Sequence, residues 1–334
     1  MLKKLEIIAE IGQGYEGSIS LTNNLIKSAA NSGVESLKFQ MVFADELSTK
    51  NYKHYKLFKK LEMSYKDWSL VSKLTTKHKI KLYFDIFGQK SLNICEKLGV
   101  HGIKIHPTDA LNYGLINSIS ESKIKRVILG IGGQHIDNIE KTIKILSNKE
   151  LIIMIGFQSY PTYIKSNNIK NLKIASLKYK NFTNISFGFA DHEPVSLLRS
   201  KMLSTLAIGA GAKLIEKHFT ISKSLKLEDY ESSLNANDFD EFSKSLRQIA
   251  KGYSENNKVH EYSLSKQEKT YLGFIIRNVV AKRLIKKNKK ISISDLTLKR
   301  TGEKHVINQI EKCIGKRARL NIKKNQSINK KNLK

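Results

Sequence analysis

Eight short runs rich in Ile, Val, Leu and Phe recur between residues 5 and 217, each separated from the next by an amphipathic stretch of helical length. They fall at Leu5 to Glu10, Ser36 to Gln40, Lys81 to Asp85, Gly102 to Ile105, Arg126 to Gly130, Leu151 to Gly156, Ser186 to Phe189 and Lys213 to Lys217. Strands buried on both faces read as continuous apolar runs, and parallel strands need a helical crossover, so the alternation predicts consecutive βα units. Eight such units over residues 1–250 fit a closed (β/α)8 barrel, whereas an open doubly wound sheet usually stops at about five or six strands. In a barrel of this kind function gathers at the C-terminal ends of the strands.

Polar and ionisable residues end the predicted strands: Glu10, Lys38 with Gln40, Asp85, Lys104 with His106, Gln158 with Tyr160, Asp191 with His192, and His218. The opposite ends are expected to show no such concentration. Phe189-Ala190-Asp191-His192 and Leu214-Ile215-Glu216-Lys217-His218-Phe219-Thr220 both read as a buried strand finishing in a histidine. Two neutral imidazoles on successive strand ends could hold one divalent metal, with Asp191 and Glu216 as acceptors that fix their tautomers or as structural pairs. Two rim histidines satisfied by ordinary hydrogen bonds remain the other reading.

Lys38 and Lys104 lie inside apolar strands, where an unpaired ammonium is costly. Each therefore pairs with a carboxylate such as Glu10 or Asp85, or waits for an anionic ligand; a Schiff-base lysine is the mechanistic alternative. Gly12-Gln13-Gly14-Tyr15-Glu16-Gly17 fits GxGxxG after a strand, but the second strand ends in Lys38-Phe39-Gln40 without the acidic residue that would hold a ribose diol. Gly130-Ile131-Gly132-Gly133 ends the fifth strand, and its bare amides could receive a phosphate or simply turn the chain.

The formal charge is +29, from 59 Lys and Arg against 30 Asp and Glu. Most of the cations are Lys, amid abundant Asn and Ile, a mixture that an AT-rich genome produces without selection for binding. Scarce Arg argues against nucleic acid, because Arg supplies the bidentate contacts to phosphates and base edges. No run of about 18 apolar residues exists, and Glu6 and Glu10 break the first one, so neither a membrane span nor a signal peptide is expected and the cytoplasm is the default. Cys95 and Cys313 form no CxxC pattern and read as buried thiols.

Residues 251–269 are polar without apolar periodicity and read as a linker. Beyond them, Ile276 to Ala281, the Leu284 to Ile293 turn, Leu296 to Arg300 and Cys313 to Ile328 form short β-like pieces of a second domain, 270–334. The Lys-rich end from Lys316 to Lys334 reads as a solvated face and tail.

With these residues assembled, the chain resembles the sialic acid synthase family, which makes nonulosonic acids. The resemblance rests on Ala9-Glu10-Ile11-Gly12, Lys38-Phe39-Gln40, Lys60-Leu61-Glu62-Met63, Lys104-Ile105, Tyr160-Pro161, Asp191-His192, Glu216-Lys217-His218-Phe219-Thr220 and Glu228-Asp229-Tyr230. In the second domain it rests on Arg277 to Ala281, Leu298 to Gly302 and Ile314-Gly315-Lys316. It implies a (β/α)8 barrel followed by a small antifreeze-like (SAF) domain, assembled as a domain-swapped homodimer in which Arg300 reaches the partner's barrel and contacts the sugar's acyl group.

The resemblance also implies a reaction: phosphoenolpyruvate condenses with the open-chain aldehyde of an N-acylated hexosamine such as N-acetylmannosamine, giving a nine-carbon α-keto acid and phosphate. It implies a divalent metal, Mn2+ or Mg2+, on His192 and His218 with Gln40 nearby. Lys38, Lys104, Gln158, Gly130 and Gly132 would bind phosphoenolpyruvate; Glu10, Tyr160, Asp229 and Arg300 would bind the sugar; Asp109, Glu10 and Tyr160 would take catalytic roles. Departures are expected at Pro107 and Gly130, which replace two family serines that hydrogen-bond the phosphate, at Asp109, which replaces a glutamate, and at Gly14-Tyr15, which replaces Asn-His. The rivals are a repurposed non-catalytic homologue and a Schiff-base pyruvate aldolase.

Overall fold

A computed structural model describes residues 5–156, 162–194, 196–254, 264–303 and 306–334. The chain divides into two compact units, Met1–Asn257 and Lys258–Lys334. In the first, eight parallel strands close into a barrel in sequence order: β1 Glu6–Gly12, β2 Ser36–Gln40, β3 Lys81–Ile86, β4 Gly102–Ile105, β5 Arg126–Gly130, β6 Glu150–Ile155, β7 Ile185–Asp191 and β8 Leu214–His218. Each expected strand is present and shifts by no more than about two residues at its ends, because a run that is apolar on both faces has only one place to go. β8 returns to β1 with Glu10 opposite His218, while β2 sets Lys38 opposite Glu10 on its other side.

Alternation along the strands separates two apolar layers. Ile7, Ala9, Leu37, Phe39, Phe84 and Ile215 face outward against the helices, whereas Ile8, Tyr83, Ile128, Ile152, Met154 and Leu214 fill the lumen. The lumen is thus a packed core with no channel through it.

Below that apolar layer the expectation of unremarkable strand starts fails. The Glu6 carboxylate accepts hydrogen bonds from Ser36 Oγ at 2.7 Å, Tyr83 Oη at 2.8 Å and Arg126 Nη2 at 2.6 Å, with Lys81 Nζ at 3.3 Å. Arg126 Nη1 continues to Glu150 at 2.6 Å. Burial alone would raise the Glu6 carboxyl, but the Ser36 hydroxyl, the Arg126 charge and the Tyr83 hydroxyl together hold it below its ordinary value. These residues lie in five different strands, so no local pattern announces them.

The GxGxxG turn has a steric explanation. Gly17 has a φ of +68°, and a Cβ there would sit 2.0 Å from the Lys60 carbonyl oxygen. The Ser18 hydroxyl then caps the helix Ile19–Asn31 by accepting from Leu21 N at 3.2 Å.

The stretch expected to link the units is helical where it is described at either end: one helix runs Ala236–Ser254, and another, Lys266–Ile275, starts in a capping box between Ser265 and Glu268. The second unit pairs β9, Asn278–Ala281, antiparallel with β10, Leu296–Lys299. The Lys-rich end is no tail, since Ala318, Ile322, Ile328 and Leu333 are buried in that unit's core with Val279 and Cys313. Buried Asp295 ties its loops together, accepting from Arg283 Nε at 2.8 Å, Lys289 Nζ at 2.7 Å and Ser292 N at 3.1 Å. Both cysteines are buried and unpaired in disulfides, as expected. Among the described residues no helix is long and apolar enough to cross a membrane.

Candidate active site

A cavity of about 210 Å³ opens at the C-terminal ends of the strands. Glu10, Lys38, Gln40, Asp85 and Lys104 line one arc, from β1 to β4. His106, Pro107, Gly130, Gly132, Met154 and Gly156 continue it, and Ala190, His192, Glu216, His218 and Asp229 close it. Its floor is electrostatic. Lys38 Nζ lies 2.5 Å from Glu10 Oε2, 3.0 Å from Asp85 Oδ1 and 3.7 Å from Glu216 Oε2. Lys104 Nζ donates to Glu216 Oε1 at 2.6 Å.

Burial would depress the Lys38 amine, but Asp85, Glu10 and Glu216 together hold it above its ordinary range, so it is a fixed cation. Burial would likewise raise Glu216, but Lys104 and Lys38 hold it low and anionic. Glu10 goes the other way: burial raises it, Lys38 opposes, and the Glu216 and Asp85 charges push it further up. Burial also lifts the Asp229 carboxyl to about 7, with Glu228 and Glu231 adding to the effect.

On the far wall the His192 and His218 rings stand 5.5 Å apart between centroids, and His218 Nδ1 lies 3.7 Å from Asp229 Oδ2. Burial pushes His192 down to about 4; burial and the neighbouring His192 put His218 well below its usual value. Both are neutral donors. Asp229 is held at a φ of +63°, a conformation a non-glycine residue adopts at a cost. Gly12 borders the group at a φ of +60°, which L side chains rarely adopt; a Cβ there would be in ordinary contact with Asp229 Oδ2 at 3.4 Å, Glu10 Oε1 at 3.5 Å and His218 Cε1 at 3.6 Å.

Gln40 is fixed from two sides: Gln13 Nε2 donates to its side-chain oxygen at 2.8 Å, and the buried Tyr15 hydroxyl donates to its backbone carbonyl at 3.0 Å. Tyr15 in turn packs edge-on against Trp68 at 5.3 Å. This donor set fits a divalent cation in chemistry, with neutral imidazoles, an amide oxygen and four rim carboxylates against two lysines. Among the described residues no three His, Cys, Asp or Glu side chains are grouped as a metal cluster.

Of the residues expected to act here, Glu10, Lys38, Gln40, Lys104, Gly130, Gly132, His192, His218 and Asp229 line the cavity. Asp109 does not; it sits in the 3-10 turn Pro107–Asp109, bonded to Thr108 and Asn112. Gln158 and Tyr160 lie outside the described residues. Arg300 belongs to the second unit, where its Nε donates to the Ile275 carbonyl at 3.1 Å. Glu216 proves to be a lumen residue that joins both lysines.

Asp191 turns away from the cavity and pairs at 3.4 Å with Lys217, whose amine also donates to the Glu193 carbonyl at 2.7 Å. Pro107 and Gly130 are in contact: a Cβ at residue 130 would meet Pro107 Cδ at 2.7 Å and Cγ at 2.9 Å. A side chain at residue 130 and the Pro107 ring compete for the same space.

A family model described as the NeuB family matches residues 25–258. The chain belongs to the NeuB family. A model described as the SAF domain matches residues 276–334, so the resemblance drawn from the motifs holds for both parts, as does the expected pairing of barrel and SAF domain. Among NeuB-family relatives, the N,N'-diacetyllegionaminic acid synthase of Campylobacter jejuni is 27% identical over 98% of this chain and 99% of its own length. The structure of the N-acetylneuraminic acid (sialic acid) synthetase of Leptospira borgpetersenii, in complex with citrate, superposes with a TM-score of 0.72 at 25% identity, covering 81% of this chain and 92% of that one. A putative spore coat polysaccharide biosynthesis protein E from Chromobacterium violaceum shares the fold along the length, with a TM-score of 0.82 at 18% identity, 99% of this chain and 100% of that one.

Proposed function

We propose that the protein condenses phosphoenolpyruvate with the open-chain aldehyde of an N-acylated hexosamine, giving a nonulosonic acid and phosphate. The observation that carries this reading is the meeting, in one NeuB-family cavity, of two buried lysines with two neutral imidazoles. The names of the legionaminic and neuraminic acid synthases among its relatives support it.

Lys38 and Lys104 neutralise the carboxylate and phosphate of the enol substrate, with Gln158 and the backbone at Gly130 and Gly132 completing its hold. Glu10, Asp229 and Tyr160 orient the sugar, and Arg300 reaches its acyl group from a second copy in a domain-swapped homodimer. The enol methylene carbon attacks the aldehyde carbon, water adds at the pyruvyl carbon, and the bond from that carbon to the phosphate oxygen breaks. One proton of the water ends on the new hydroxyl and the other on the phosphate. Asp109, where the family has a glutamate, manages protons or positions the water.

His192, His218 and Gln40 would hold Mn2+ or Mg2+, which when bound supplies Lewis-acid polarisation of the aldehyde oxygen. We place the reaction in the cytoplasm, where phosphoenolpyruvate is made. The three carboxylates around Lys38 keep it protonated, which disfavours a Schiff base.

The test is phosphate release from phosphoenolpyruvate with a panel of N-acyl hexosamines in Mn2+ or Mg2+. Release that needs both substrates and stops with EDTA is expected. No release with any sugar from folded, dimeric protein would point to a repurposed homologue. EDTA-insensitive turnover with borohydride trapping of pyruvate would point to the aldolase.

A further inference from the structure

The wall of the cavity opposite the two histidines carries a third imidazole that the reaction above leaves unused. β4 is four strands from β8 around the closed barrel, and His106, the residue after it, lines the cavity two positions beyond Lys104. Its Nδ1 lies 2.8 Å from Thr108 Oγ1. Thr108 Oγ1 donates to Asp109 Oδ2 at 3.2 Å, and Asp109 Oδ1 accepts from Asn112 Nδ2 at 3.0 Å.

We propose that His106 is the base that takes a proton from the water adding to the pyruvyl carbon, with Thr108 and Asp109 as positioning residues that fix its tautomer. This assignment rests on the condensation proposed above. In the proposed arrangement the Thr108 hydroxyl donates to Asp109 Oδ2, its Oγ1 lone pair faces Nδ1–H, and Nε2 is left as the basic nitrogen. The competing arrangement is a cap: Nδ1 accepts from Thr108 N at 3.4 Å and closes the 3-10 turn, which would put the proton on Nε2. The hydroxyl contact is the shorter one, and Nδ1 can be its donor or its acceptor, so the tautomer is what the test reads.

The charged groups around the ring are Lys104 on its own strand, Lys38 on β2, Asp85 on β3 and Asp109 in its own turn, and Phe87 packs 5.9 Å from it. Burial lowers the imidazole, Asp85 and Asp109 raise it, Lys104 and Lys38 lower it, and the net direction is down. It is therefore unprotonated near neutrality and able to accept.

As the bond from water oxygen to the pyruvyl carbon forms, Nε2 takes one proton. It returns that proton to the bridging oxygen as the bond from carbon to phosphate oxygen breaks and hydrogen phosphate leaves. The second proton of the water departs as the carbonyl forms, matching the proton gained by the former aldehyde oxygen. Asp109, which is outside the cavity, thus acts on the reaction through Thr108 and His106.

Two measurements decide. Long-range 15N NMR on the labelled full-length protein should show the His106 proton on Nδ1, and Thr108→Val should weaken that preference; a proton on Nε2 in the wild type would make His106 a cap and overturn the proposal without any assay. In phosphate-release kinetics, His106→Gln should lower kcat by roughly 10²- to 10⁴-fold with little change in either KM, abolish the acidic limb of the kcat profile, and leave the melting temperature in place. Added imidazole should restore part of the rate to His106→Ala. An active wild type whose kcat and acidic limb survive His106→Gln removes the assignment alone, whereas a wild type that releases no phosphate removes the condensation and His106's role with it.

Discussion

Lys217 and His218 are neighbours that face opposite sides of β8, so they should fail in different ways. His218→Ala is expected to cost at least about 100-fold in metal-dependent kcat while leaving urea unfolding nearly unchanged, because it removes a lumen imidazole and no core contact. Lys217→Met should do the reverse in kind: it strands the buried Asp191 carboxylate, and unfolding free energy should fall by about 3–5 kcal/mol. Equal stability losses for the two variants would contradict this division. At this scale the sequence showed the histidines, since a buried run that stops at a polar residue marks a strand end. It did not show that Glu216 joins Lys104 to Lys38, because those partners are 112 and 178 residues away and either face of β8 was open to it.

Among elements, the turn after β4 and the end of β5 behave as one unit. Gly130→Ser alone drives a Cβ into the Pro107 ring and should cost about 1–3 kcal/mol in denaturant titrations; combined with Pro107→Ser the loss should largely vanish. Additive losses in the double variant would show that the two positions are independent. The strands themselves were legible to within a residue or two, because burial on both faces leaves a continuous apolar run. The pairing of Pro107 with Gly130 was not, since it depends on how closely two strand ends approach. The glycines at 12 and 17 were visible as a motif, but their reason is a left-handed φ of +60° in one case and the Lys60 backbone, together with a φ of +68°, in the other.

For the whole molecule, acid sensitivity should be set in part at the end of the barrel remote from the cavity. The Glu6 carboxyl is depressed in the folded state, so its contribution to stability is present above its ordinary value of 4.5 and is lost as pH falls through the lower folded value. Glu6→Gln should cost about 1–3 kcal/mol at neutral pH and flatten the decline of the melting temperature below about pH 4.5. An unchanged acid slope would remove Glu6 from this role. The barrel and the second domain were legible as wholes, yet neither Glu6 nor Asp295 was, since each collects partners that only the closed fold brings near. Ile8, Tyr83, Ile128, Ile152 and Leu214 lie between the charges at the two ends of the lumen. That apolar partition frees thermal adaptation from its usual trade-off with activity: laboratory evolution for heat tolerance can rework the ring around Glu6 and Arg126 while the substrate end keeps its own electrostatic setting.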